Sequence, residues 1–116
     1  MFFKRLFATI AVALSFAGAV QADEQAKAWL EQGVLIDTRT ENEFNAGHIE
    51  GAELIPYDEI AMQIASIAED KSTPILLYCR SGRRAGVAEQ ALQSLGYTNV
   101  RNLGGIDQAK AALAVN

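Results

Sequence analysis

Cys79 is the only cysteine of the 116-residue chain and stands in the stretch PILLYCRSGRRAG, residues 74–86. Arg80, Arg83 and Arg84 fall within the five positions that follow it. A thiol attacks as its thiolate, and fixed positive charge favours that form. Backbone N–H groups at a helix start do the same, and such surroundings bring a cysteine pKa from about 8.5 to somewhere between about 3.5 and 7.5. These residue types therefore point to nucleophilic sulfur chemistry on a small anion. Gly82 supplies the backbone freedom of a tight turn. Arg80, Ser81, Gly82, Arg83 and Arg84 are the candidate substrate-binding residues around Cys79. The competing reading is an inert thiol that ends a core strand, with arginines that only keep the turn soluble. The glycine, the charge cluster and the flanking elements argue against it.

Such a loop needs a frame. Residues 74–78, PILLY, form an apolar run behind a proline, which is tolerated at a strand start. The run does not alternate, so both its faces are expected to be covered, as in a parallel sheet. Residues 83–95 carry Val87, Ala88, Ala91, Leu92 and Leu95 on one helical face, with Gly96 as the stop. Cys79 is thus expected at the carboxyl end of a buried strand, with RSG as the turn and a helix from Arg83 or Arg84. Open α/β sheets bind ligands at that place. Upstream, residues 23–32 read as a helix with Ala26, Trp29 and Leu30 inward, and residues 34–37 as a buried strand. Thr40 and Glu43 fit a capping box for a helix through Ala46. Residues 47–56 read as a loop with a short extended piece, and residues 58–69 as a helix with Ile60, Ile64, Ile67 and Ala68 in one stripe. Residues 98–103 read as a third strand, Gly104-Gly105 as a turn and residues 106–115 as a last helix. Strands alternating with helices give one α/β domain with a mainly parallel sheet.

Residues 1–22 read as a cleavable signal peptide. Lys4 and Arg5 form a positive start, residues 6–19 carry no charge, and Val20-Gln21-Ala22 places small or short side chains before the cut. The uncharged run is shorter than the ~20 apolar residues of a spanning helix. No cysteine follows it, which excludes a lipoprotein anchor. The expected product is a 23–116 domain, exported to the periplasm without a membrane anchor. It carries eight Lys and Arg against fourteen Asp and Glu, a formal charge of −6. That surface argues against nucleic acid or an anionic membrane as a partner. Three of its eight cations sit in five positions after Cys79, a basic spot on an acidic body. A single cysteine forms no internal disulfide. No metal-binding cluster and no phosphate loop of the Walker type is visible, and no cofactor is expected.

Three motifs in order, LIDTRTENEFNAGHIEGAELIP, YCRSGRRA and VRNLGGI, resemble the single-domain rhodaneses, in particular their small exported members. The resemblance covers nearly all of residues 34–106. It implies a small parallel sheet flanked by helices, and a sulfurtransferase. The loop cysteine of such enzymes takes sulfane sulfur from thiosulfate, becomes a persulfide and passes the sulfur to a thiophile, cyanide or a thiol. Arg84 is then expected to bind the anion or to tie the loop to an acid, and Arg80 and Arg83 to face the mouth. The family often has a Trp where this chain has Ala109, which affects the packing or pocket edge near the last helix.

Three other functions compete with this one. Cysteine phosphatases and arsenate reductases close their loop with Cys-x5-Arg, whereas Ala85 is the sixth residue here and Arg84 gives Cys-x4-Arg. A non-catalytic partner-binding module fits poorly with a retained Cys79. A sulfur carrier or redox sensor with little turnover uses the same persulfide and stays open. Asp37 and Arg39, at the end of the first strand, either line the site or form a salt bridge that organises neighbouring loops, and the second is expected. The single histidine, His48, is expected to hydrogen-bond structurally, because a thiolate held by its loop needs no base.

Overall fold

A computed structural model describes residues 22–116. The expected signal peptide lies outside the described residues except for Ala22. Nine-residue α1, Glu24–Gln32, starts on Asp23, whose carboxylate accepts the Ala26 N–H at 3.0 Å. Four-residue β1 follows, Val34–Asp37. Thr40 then caps α2, Glu41–Ala46, in a full capping box with Glu43. The extended piece within residues 47–56 is a two-residue strand, β2, Glu53–Leu54.

β3, Ile75–Cys79, is buried at all five positions. The short α3, Ile60–Gln63, precedes it. α4 spans Arg83–Ser94, β4 Val100–Gly105 and α5 Ile106–Leu113. The strands form one sheet in the order β2-β1-β3-β4, and all three pairings are parallel. β1 and β3, the short apolar runs, take its centre.

Side-chain alternation across the central strands splits the core in two. Ile36, Ile75, Leu77 and Cys79 point into one layer with Ile60, Ile64, Ala88 and Leu92. Leu35, Leu76 and Tyr78 point into the other, with Ala26, Ala109 and Leu113. Both faces of the sheet are thereby covered, as the non-alternating runs require. Cys79 faces the layer of α4, the helix that begins just beyond the thiol's own turn.

The structure corrects several sequence expectations. The helix expected over residues 58–69 is one α turn, α3, which tightens into a 3-10 turn at Ile64–Ser66. No side chain caps its start, and this short length already buries Ile60 and Ile64, with Ala68 buried just beyond it. The last strand begins two residues later than expected, because Thr98 N–H donates to Lys71 O and Asn99 Nδ2 to Ser72 O. It also runs on through Gly104 and Gly105, with Gly105 pairing with Cys79 across an irregular step, instead of ending in a turn. Val87 on α4 and Leu95 at its C-cap are exposed, and Ala85, Ala88 and Leu92 make the inward stripe. The last helix ends at Leu113, where Ala114 adopts a left-handed backbone. Ala109 is fully buried against the second core layer, so its effect lies in packing and not at a pocket edge.

Candidate active site

The Cys79 loop occupies the carboxyl end of β3. Cys79 is the last residue of the strand, and α4 starts four residues later. Gly82 makes the turn with φ of +98°, in the left-handed region that favours glycine. Its N–H donates to Cys79 Sγ at 2.8 Å. Burial pushes the thiol up, but the N–H groups of Ala85, Ser81, Gly82 and Arg84 together pull it below the ordinary thiol value. The loop therefore surrounds sulfur with donors that stabilise a negative charge where it resides.

The sheet's last strand holds this loop from behind. Asn102 Nδ2 donates to Gly82 O at 2.8 Å, and Asn102 Oδ1 accepts the Gly104 N–H at 2.8 Å. A Cβ on Gly105 would run into Arg80 O. The double glycine is thus the surface on which the cysteine loop rests, which explains its backbone requirement.

The four arginines near the sheet's carboxyl edge differ in what they touch. Arg84 is partly exposed and forks onto Glu43, with Nη1–Oε1 at 2.9 Å and Nη2–Oε2 at 3.0 Å. The Glu43 hydrogen bond holds the Arg84 guanidinium above its usual range. Arg84, followed by the Thr40 N–H, brings the Glu43 carboxyl down to about 2. Arg39 is buried and doubly bonded to Asp37, with Nη2–Oδ2 at 2.7 Å, and it also donates to Gly47 O at 2.7 Å. That pair ties the end of β1 to the turn after α2. Asp37 pairs in register with Tyr78, next to Cys79. Arg80 and Arg83 are exposed and have no hydrogen-bond or salt-bridge partner among the described residues.

His48 is held by Phe44. Its Nδ1 lies 2.8 Å from Phe44 O, and its ring stacks on Phe44 at 3.6 Å. Sequence reasoning saw Glu43 only as a cap and missed Asn102 altogether. The loop and Glu43 are 41 residues apart, and no local signal announces their pairing. Among the described residues no group of three or more His, Cys, Asp or Glu is placed to hold a metal ion.

A parallel α/β sheet with a cysteine cradled between strand end and helix start defines the class, and comparison with known proteins fixes the family. Residues 22–112 match the rhodanese-like domain. The chain belongs to the rhodanese-like family. It is 37% identical over 97 residues to the thiosulfate sulfurtransferase PspE of Escherichia coli K12, covering 84% of this chain and 85% of that protein. Thiosulfate sulfurtransferase 18 of Arabidopsis thaliana is 37% identical over 95 residues, 70% of this chain and 69% of its own length. The solved structure of an E. coli rhodanese with anions superposes with a TM-score of 0.64 at 36% identity, covering 66% of this chain and 89% of that one.

Proposed function

We propose that this rhodanese transfers the outer sulfur of thiosulfate to a thiophile, cyanide or a thiol, through a persulfide on Cys79. The observation that carries the reading is the Gly82 N–H at 2.8 Å from Cys79 Sγ, within a loop whose N–H groups favour the thiolate. Cys79 thiolate attacks the outer sulfur of thiosulfate. The new Cys79 S–S bond forms as the S–S bond of thiosulfate breaks, and sulfite leaves with the electron pair. The terminal sulfur of the persulfide carries the negative charge, which the N–H groups of the loop favour. Preorganised donors of this kind are worth on the order of 3 kcal/mol each. Arg80 and Arg83, which have no partner among the described residues, meet the dianionic donor. Arg84 is already matched by Glu43, so its work is to hold the loop. Asp37 and Arg39 support the neighbouring turn. The acceptor then takes the outer sulfur and restores the thiolate.

Thiocyanate formation from thiosulfate and cyanide tests this reading. Wild-type protein should turn over and Cys79→Ser should not, and normal turnover by the variant would refute the mechanism.

We further propose that residues 1–22 are removed on export and that the enzyme works in the periplasm. The support is the charged start, the uncharged run and the small residues before Asp23. N-terminal sequencing of protein from a secreting host should begin near Asp23. A secreted protein that begins at Met1 would contradict it.

A further inference from the structure

We propose that Asn102 is a positioning residue for the Cys79 thiolate: its carboxamide locks the left-handed Gly82 turn, so that the Gly82 N–H stays aimed at sulfur. The inference rests on the reading of Cys79 as the attacking thiolate and adds a residue that keeps it one.

The sheet builds a special place for this side chain. Leu77 pairs with Asn102 and Cys79 with Gly105, so a two-residue step on β3 faces a three-residue step on β4. The extra residue makes a bulge, where Gly104 has φ of +95°. Bulges re-aim side chains and recur beside active sites. Asn102, in register with Leu77, faces the core layer of Leu77, Cys79 and α4. Its neighbours point the other way, Arg101 to Asp23 and Gln25 and Leu103 into the second layer. β4 therefore meets the cysteine loop with neutral groups. The charged side chains around the loop are its own Arg80, Arg83 and Arg84, with Glu43 of α2 paired to Arg84, and β1 ends in the Asp37–Arg39 pair. None of these is altered when Asn102 is changed.

The orientation of the amide follows from its partners. Gly82 O only accepts, so it takes Nδ2–H, and the Gly104 N–H only donates, so it meets Oδ1, each at 2.8 Å. One end fixes the amide on its own strand, and the other reaches across to the loop. Gly82 O also accepts the Gly86 N–H at 2.9 Å, at the start of α4. Two donors from different elements thus hold one carbonyl. Between that carbonyl and Cys79 the Gly82 backbone runs at φ of +98° and puts its N–H 2.8 Å from Sγ. Gly82 also packs on the bulge, since a Cβ there would stand 3.3 Å from Gly104 Cα. Without Asn102 the turn is held by the helix bond alone and is free to rock. Each N–H donor that leaves the sulfur returns the thiol toward its ordinary pKa.

The test is the pH dependence of Cys79 alkylation by iodoacetamide, a neutral reagent that reads the thiolate directly. Asn102→Leu keeps the size of the side chain and removes both hydrogen bonds, and Asn102→Ala removes them with less bulk. In either variant the midpoint should rise by about one pH unit, the size of one hydrogen bond to the thiolate. Leu103→Val, on the same strand but the opposite face, should lower the melting temperature and leave the midpoint at the wild-type value. An unchanged midpoint in a folded Asn102 variant, or the same rise in Leu103→Val, overturns the assignment. Alkylation needs no sulfur donor, so its outcome is separate from that of persulfide formation, which intact mass after thiosulfate reads.

Discussion

β1 and β3 lie side by side in one parallel sheet and end at the same edge, yet their ends are electrostatic opposites. β1 closes on itself. Asp37, fully buried, takes Arg39's guanidinium and its N–H, and the guanidinium also donates to Gly47 O. β3 ends open. Cys79 faces N–H groups that favour a negative sulfur, and Arg80 and Arg83 are exposed and unpaired among the described residues. The difference shows how one sheet edge can hold a buried ion pair and a cysteine ringed by N–H donors a strand apart.

The largest effect is expected from breaking the closed end. Asp37→Ala leaves Arg39 buried without its carboxylate, and removing one partner of a buried pair costs about 3–5 kcal/mol. Thermal or urea unfolding should show that loss. Unchanged stability would mean that the β1 end is not a structural device.

Breaking the open end should do the reverse. Arg80→Ala and Arg83→Ala should leave melting nearly unchanged and lower kcat/KM for thiosulfate, by about 1.5–3 kcal/mol for each charge-assisted hydrogen bond removed. An uncharged sulfur donor should suffer less. Added salt should slow the wild type with thiosulfate, since screening acts within about 8–10 Å at an exposed loop. Equal losses for charged and uncharged donors would show that these arginines shape the loop without selecting its anion.

Arg84 sharpens the contrast, because it sits on the open loop but is paired like Arg39. Arg84→Ala should reduce kcat/KM about tenfold, or 1.4 kcal/mol, and by the same factor for both donors. It should also raise the pH midpoint of Cys79 alkylation, because the unpaired Glu43 carboxylate then disfavours the thiolate. A loss confined to thiosulfate would place Arg84 on the substrate.

His48 belongs to the closed side. His48→Ala removes an exposed stack and one hydrogen bond, worth about 1 kcal/mol of stability. Its rate per folded molecule should stay within about tenfold of wild type. A thousandfold loss with unchanged melting would make it catalytic.

The smallest effect is expected in acid. Glu43's folded pKa of about 2 lies below its unfolded value of about 4.3, so its contribution is present above that value and fades as pH falls toward 2. The pair is partly exposed, which limits the effect to less than about 1 kcal/mol. Acid unfolding of Glu43→Gln should therefore be shallower than that of wild type over this range. Identical acid limbs would remove the Glu43–Arg84 pair from the stability account.

Much of this is legible in the sequence because it is local. The capping box at Thr40, the buried runs at 34–37 and 75–79, and the strand–turn–helix around Cys79 each declare themselves within a few residues. The rest depends on what the chain brings together. Glu43 meets Arg84, Asn102 meets Gly82, and Gly105 lies under Arg80 only after β3 and β4 pair. The two-turn element at residues 60–66 reads as a longer helix because its apolar stripe has helical spacing, whereas its uncapped start and its 3-10 end leave no such mark. Gly104-Gly105 reads as a turn because glycine pairs usually make one, and here the space they leave holds another loop.

The most direct test of the open β3 end is intact mass after incubation with thiosulfate. Cys79 should gain about 32 Da, one sulfur atom, and cyanide should remove it, as exchange at a thiolate requires. Cys79→Ser should gain nothing. A wild type that stays at its original mass, or a Cys79→Ser protein that gains the same sulfur, would contradict the account.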